Sequence, residues 1–172
     1  MNLIIPTTKI RKANPSDALL ILEFIRALAV YEKLEDQVSA NEDLIIKNLF
    51  SQSPKAHCLI AEYDSQPAGF AIYFYNFSTF LFKPGLYLED LFVKPEFRSL
   101  GIGKKLIQAL AQVCIDEDLG RFEWSVLDWN KPSIAFYESL GAVAMDEWTL
   151  YRLTPDKFQN LVPKQVPEAD DN

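Results

Sequence analysis

Arg98, Gly101 and Gly103 follow directly on a strand-like run, Leu86-Tyr87-Leu88-Glu89-Asp90-Leu91-Phe92-Val93, that stops at Pro95. From Lys104 onward the apolar positions Leu106, Ile107, Leu110 and Val113 recur at helical spacing. Two glycines at the mouth of a helix let the backbone take positive φ and approach a ligand closely. The helix start adds unpaired N–H donors and the positive end of its dipole. Together these make an anion cradle suited to a pyrophosphate. It is not a P-loop, because Gly101-x-Gly103-Lys104-Lys105 lacks the four-residue spacing and the following Ser or Thr, which disfavours a nucleotide-binding phosphate domain. A glycine turn into a helix is common in α/β proteins, so its neighbours must give it meaning. The same strand carries Glu89 and Asp90 in its C-terminal half, and strict alternation sends them to opposite faces, leaving one to face the chemistry.

The elements that would position these residues are legible along the chain. Residues 8–13 read as a first strand, and Asn14-Pro15-Ser16-Asp17 supplies an N-cap, a first-turn proline and a first-turn acid. The helix that follows runs to about Tyr31 with Ala18, Ile21, Leu22, Ile25, Leu28 and Ala29 as its buried face. Ser39-Ala40-Asn41-Glu42 reads as a capping box opening a second helix through Leu49. The loop between them, with Glu32, Glu35 and Asp36, reads by composition as a solvated connection. Residues 56–63, 67–77 and 85–93 form an antiparallel meander. Its aromatic series Phe70, Tyr73, Phe74, Tyr75, Phe77, Phe80 and Phe82 reads as core and sheet-face packing. Residues 121–127 read as a strand, and Asn130-Lys131-Pro132-Ser133 opens a helix that Gly141 ends, two turns of which lead to Tyr137. Residues 148–153 read as a last strand and Thr154-Pro155-Asp156 as the start of a short helix. The domain thus spans residues 1–162, and the polar, acidic residues 163–172 have the composition of a disordered tail.

Composition bounds the function. With 172 residues, 49% of them apolar, and no apolar run near the roughly 18 residues of a membrane span, the chain reads as one soluble domain. Asn2-Leu3-Ile4-Ile5 is too short for a signal-peptide core, and the two cysteines, Cys58 and Cys114, make no disulfide framework, so the expected compartment is the reducing cytoplasm. The net charge of −7 without Lys/Arg clusters argues against nucleic acid and favours a cationic substrate if carboxylates gather at one site. His57 has no second histidine or cysteine cluster beside it, so no metal site is expected.

The run Arg98-Ser99-Leu100-Gly101-Ile102-Gly103 resembles in full the acetyl-CoA-binding motif of the GCN5-related N-acetyltransferases, the GNAT superfamily. Within it the chain is most similar to the spermidine/spermine and thialysine N-acetyltransferase group. The similar stretches are residues 31–38, His57-Cys58-Leu59-Ile60-Ala61-Glu62, residues 87–93, and Trp129-Asn130-Lys131-Pro132-Ser133-Ile134-Ala135-Phe136-Tyr137. The resemblance implies an α/β (α+β) fold with a mixed sheet of six to seven strands, in which the strands at 86–93 and 121–127 run parallel and splay to admit the pantetheine arm. It implies that Arg98, Ser99, Leu100, Gly101, Ile102, Gly103 and Lys104 hold pyrophosphate, chiefly through backbone amides. Leu91, Phe92 and Val93 would offer an amide to the oxyanion, and Asn130 and Ser133 would touch the cofactor. On the acceptor side it implies Tyr31, Glu32, Glu89, Asp90, Asp146 and Trp148, and commonly a homodimer. Ser99 replaces the more usual glycine. Asn76-Phe77-Ser78-Thr79-Phe80 lacks the acid that polyamine enzymes carry before an aromatic, which places diamines and thialysine-like amino acids ahead of long polyamines.

Acetyl transfer from a thioester to an amine needs a neutral amine, a stabilised oxyanion and a proton for the departing thiolate. An alkyl ammonium with a pKa near 10 is only about one part in a thousand neutral at pH 7. The resemblance makes Glu89 the base acting through water and Tyr137 the acid that reprotonates sulfur. The presence of both argues against a catalytically silent acetyl-CoA sensor; action on a protein N-terminus or lysine is the other alternative.

Overall fold

The computed structural model describes residues 7–158 and 160–162. The chain divides into two compact units, Met1–Ser125 and Val126–Asn172. The tail from residue 163 and the segment Asn2-Leu3-Ile4-Ile5 lie outside the described residues.

In the first unit, β1 (Thr8–Lys12), β2 (His57–Tyr63), β3 (Gln66–Ser78) and β4 (Lys83–Val93) pair antiparallel in chain order. Then β5 (Phe122–Trp124) joins β4 in parallel. A parallel neighbour requires a crossover, and α3 (Ile102–Asp116) supplies it. One face of the sheet packs on α1 (Ala18–Glu32) and α2 (Glu42–Leu49): Ala18, Ile21, Leu22, Phe24, Leu28 and Ile45 meet Cys58, Ile60, Phe70 and Phe92. The alternate strand residues Leu59, Ala61, Ala71, Tyr73, Leu86 and Leu88 are buried on the other face, where α3 lies with Ile102, Leu106 and Leu110 buried.

Phe24 occupies the place in the α1 stripe that periodicity gave to Ile25, which is only half-buried. Its ring, 1% exposed, lies 5.3 Å from Phe70 and 6.2 Å from Phe92, so it joins the helix to the two strands that flank the site. Phe24→Ala is expected to cost about 3–5 kcal/mol of stability, read as a lower denaturant midpoint at unchanged m-value.

The helix starts show how local chemistry sets this architecture. Asn14 and Asp17 cap each other's backbone, at 3.0 Å to Ser16 N–H and 2.8 Å to Asn14 N–H, around the 3-10 turn Pro15–Asp17 that leads into α1. The Arg11 guanidinium, 2.7 and 2.8 Å from Asp17, holds that carboxyl below its usual range. For α2 the expected box at Ser39 is not the cap. Asn41 is, its side chain accepting from Leu44 N–H at 2.9 Å, because Asn41 directly precedes the first helical residue.

Three expectations about the sheet are corrected. Past Tyr75 and Leu86 β4 pairs with β3 alone among the described residues, and Phe80 and Phe82, in the turn that joins the two strands, are 95% and 81% exposed. The aromatic series is therefore core only in part, at Phe70 and Tyr73. The strand at 121–127 shortens to β5, and residues 148–153 form no strand. Trp148 N–H bonds Met145 carbonyl at 3.2 Å in a turn, and Leu150 and Tyr151 are exposed. Aromatic and β-branched content permits a strand, but a partner's ladder must complete it. Among the described residues the sheet thus has five strands, where six to seven were expected.

The second unit is built on α4 (Lys131–Ser139), with α5 (Pro155–Phe158) beyond it. Asn130 caps α4 by accepting from Ser133 N–H at 3.3 Å, and Pro132 lies in the first turn. Gly141, at φ +89°, ends it: Gly141 N–H reaches Glu138 carbonyl and Ala142 N–H reaches Tyr137 carbonyl, as in a Schellman closure.

Candidate active site

Strand β4 changes character in its middle. It pairs with β3 through Leu91 opposite Ala71 and Asp90 opposite Ile72, but the next pair is Leu88 opposite Tyr73, so Glu89 has no partner. That extra residue is a β-bulge, and it reverses the alternation of faces. Leu88 lies on the α3 face with Tyr73, whereas Asp90 joins Phe92 and Ile72 on the face that packs against α1. Glu89 itself is exposed. Without the bulge, Asp90 and Leu88 would share one face of the strand.

The parallel ladder ends at the same point. It holds three pairs, Leu86 with Phe122, Tyr87 with Glu123 and Leu88 with Trp124, and beyond them, among the described residues, β4 keeps only β3 as a partner. Residues 89–93 therefore present one backbone edge that no strand of the sheet occupies, next to the bulge.

The chain then enters the cradle. A 3-10 turn at Pro95–Phe97 is followed by Ser99 at φ +61° and Gly101 at φ +75°, and α3 begins without a side-chain cap. Its first backbone bond from the turn runs from Lys105 N–H to Gly101 carbonyl at 3.0 Å, so the preceding amides of the turn have no helical acceptor. A Cβ on Gly101 would meet nothing within 4 Å; the left-handed φ, not crowding, calls for glycine there. Ser99 takes the same region without being glycine, a conformation that costs strain. Arg98 turns back to the strand: Nε donates to the Val93 carbonyl at 3.0 Å, and the guanidinium lies 4.8 Å from the Tyr31 ring centre and 5.9 Å from that of Phe92.

Three acids converge by charge. Burial, then the charges of Glu89 and Glu32, push the Asp90 carboxyl up to about 6. Burial also raises Glu32, the last residue of α1. An acid at a helix C-terminus opposes the dipole, so this position serves something other than helix stability. The solvated-loop reading of Glu32 is corrected accordingly: the residue is part of α1, while Glu35 lies in a separate 3-10 turn.

In the second unit, Asn130, Ser133 and Tyr137 follow one another at helical spacing on one face of α4, and Asn130 is 5% exposed. Asp146 and Trp148 are exposed in the irregular stretch beyond Gly141. His57 lies between the rings of Tyr73 and Tyr75, at 5.2 and 5.5 Å, and burial lowers its basicity. Burial pushes the Cys58 thiol up to about 12, which leaves it inert. Among the described residues no group of three metal-ligating side chains occurs, and no helix is long and apolar enough to cross a membrane. Sequence reasoning missed the bulge and the Tyr31–Arg98 contact. The unusual Glu-Asp pair inside a strand was the one local sign of the former.

The profile of the "Acetyltransferase (GNAT) family" matches residues 22–142. The thialysine N-epsilon-acetyltransferase of Bos taurus is 38% identical over 166 residues, covering 90% of this chain and 97% of that one. The L-ornithine N5-acetyltransferase of Arabidopsis thaliana is 31% identical, covering 90% and 87%. Among solved structures, an integron cassette protein from the mobile metagenome of V. cholerae superposes with a TM-score of 0.74 at 26% identity, covering 90% of this chain and 96% of that one. The likeness read from stretches between residues 31 and 137 thus extends over nearly the whole chain, and this chain belongs to the GNAT family of acetyltransferases.

Proposed function

We propose that the protein transfers acetyl from acetyl-CoA to the side-chain or terminal primary amine of a small cationic molecule. The observation that carries this reading is the succession, within the fifteen residues from Leu88 to Ile102, of the end of the parallel ladder, the bulge with its two acids and the uncapped start of α3. The open space at Gly101 and the first-turn amides of α3 fit a pyrophosphate. The free edge of residues 89–93 fits an extended, amide-bearing arm. Glu32, Glu89 and Asp90 would draw in the ammonium group, and Glu89 would take its proton through water. A backbone N–H among Leu91, Phe92 and Val93 would carry the developing oxyanion. As the N–C bond forms and the C–S bond breaks, Tyr137 would give its proton to the departing sulfur. Asn130 and Ser133 would meet the cofactor, with Asp146 and Trp148 on the acceptor side.

The names of the two relatives, thialysine and ornithine, support an amino acid with a side-chain amine as the acceptor class. The absence of an acid in residues 76–80 supports the same choice over long polyamines. We propose a cytoplasmic protein whose working form is a homodimer, and sedimentation would read the dimer directly. The test is acetyl-CoA-dependent thiol release with thialysine, ornithine, lysine, putrescine, spermidine, spermine and a basic peptide. Release should be greatest with the small amino acids and the diamine. Release with the peptide alone, or with no amine despite acetyl-CoA binding, would overturn the reading.

A further inference from the structure

The resemblance puts Tyr31 among the residues that line the amine channel, but its ring contact is with the cofactor loop. The Arg98 guanidinium lies 4.8 Å from the Tyr31 ring centre, close enough for a cation–π attraction, and its Nε is fixed to the Val93 carbonyl at 3.0 Å. Phe92 closes the stack from the strand side at 5.9 Å. One side chain thus ties three pieces together: the end of β4, the loop that leads through Ser99 and Gly101 into α3, and the last turn of α1. That last turn is itself closed tightly. Lys33 takes φ +61° and Leu34 N–H bonds the Ala29 carbonyl at 2.9 Å, so a shift of Tyr31 moves Glu32 with it.

We propose that Tyr31 is a positioning residue for the cofactor loop, and that the Tyr31–Arg98 stack couples the cradle to the acidic acceptor side so that each ligand favours the other's binding. The inference rests on the reading of the cradle as the acetyl-CoA site. The loop needs such a brace because Ser99 holds a left-handed conformation that its own side chain disfavours. Arg98 supplies the brace at the residue before it. A guanidinium suits the task where an ammonium does not, since it can lie flat on a ring while its Nε donates within the plane. By linkage, whatever the acceptor gains from a filled cradle the cofactor gains from a filled acceptor site.

The test measures the Kd of acetyl-CoA, the Kd of coenzyme A with and without saturating thialysine, and the KM of thialysine. It compares wild type, Tyr31→Phe, Tyr31→Leu, Arg98→Lys and the Tyr31→Leu/Arg98→Lys double variant. Tyr31→Phe, which keeps the ring face, should bind acetyl-CoA as wild type does. Tyr31→Leu and Arg98→Lys should each weaken acetyl-CoA by about three- to tenfold, the range of a partly exposed cation–π contact, and the double variant should lose no more than either alone. Tyr31→Leu and Arg98→Lys should also each abolish the tightening of coenzyme A by thialysine. Arg98 is exposed, so its variant reports even if Tyr31→Leu unfolds. An unchanged acetyl-CoA Kd with a raised thialysine KM in Tyr31→Leu would overturn the proposal in favour of a direct amine contact. So would a Tyr31→Phe protein as weak as Tyr31→Leu, or additive losses. A wild type that binds no acetyl-CoA would instead remove the cradle reading beneath it.

Discussion

Tyr137→Phe is expected to lower kcat by about 10²–10³-fold while leaving the Kd of acetyl-CoA within about twofold of wild type, the pattern of a lost general acid. The substitution removes one oxygen and keeps the ring that lies 5.3 Å from Phe136, so α4 should persist. Its caps lie elsewhere, at Asn130 and Gly141. A purely structural tyrosine would lose stability before it lost turnover. Thermal unfolding of the variant beside single-turnover thiol release separates the two. A variant with an unchanged midpoint and a slow chemical step supports the assignment, and one with full turnover removes Tyr137 from the chemistry.

Glu89→Gln should reduce kcat/KM by about 10²–10³-fold at pH 7, and the deficit should shrink as pH rises toward the amine's own pKa near 10, where solution supplies the neutral form. Asp90→Asn should behave differently. Its carboxyl, lifted to about 6, is protonated in acid, so the acidic site loses a charge and ammonium binding weakens as pH falls through 6. Wild-type kcat/KM should show that acid limb, and Asp90→Asn should flatten it while mainly raising the amine KM. The same shift fixes the sign of a stability effect. A carboxyl held above its unfolded value of 3.8 makes the folded state the better proton binder, so its cost to stability is absent below pH 4 and complete above pH 6. Asp90→Asn should therefore stabilise the protein by about 1–3 kcal/mol at pH 8 and by little at pH 4. Equal effects at both values would show that Asp90 is not buried against Glu89 and Glu32.

The Glu89 and Asp90 predictions depend on a bulge that the sequence shows only in part. The cradle was legible because its chemistry is local: a strand, a positive-φ turn and a helix start lie within one short segment, and glycine spacing marks them. The caps of α4 were legible for the same reason, through Asn130, Pro132 and Gly141. The bulge was not, since it exists only in the register between Ile72-Tyr73 and Leu88-Glu89-Asp90, which no single strand records. Strict alternation set Glu89 and Asp90 on opposite faces and could not show that Glu89 is the residue left without a partner. Phe24 was missed because a broad apolar stripe does not say which of two adjacent residues fills the gap over Phe70 and Phe92. The strand expected at residues 148–153 failed on the same ground as the aromatic ribbon. Side-chain type describes what a segment tolerates, and the partner across the ladder decides what it becomes. The Tyr31–Arg98 stack joins residues that lie far apart in the chain, and only folding brings it into view.

In the proposed reaction a small cationic amine attacks the acetyl group directly, beside the bulge and the cradle. Isotopically labelled acetyl can be followed from acetyl-CoA during turnover with thialysine, by mass spectrometry of acceptor and protein together. Direct attack places label on the side-chain nitrogen of thialysine, in an amount equal to the thiol released, and none on the protein. Label held on the protein, or released as free acetate while thialysine stays unmodified, would contradict it.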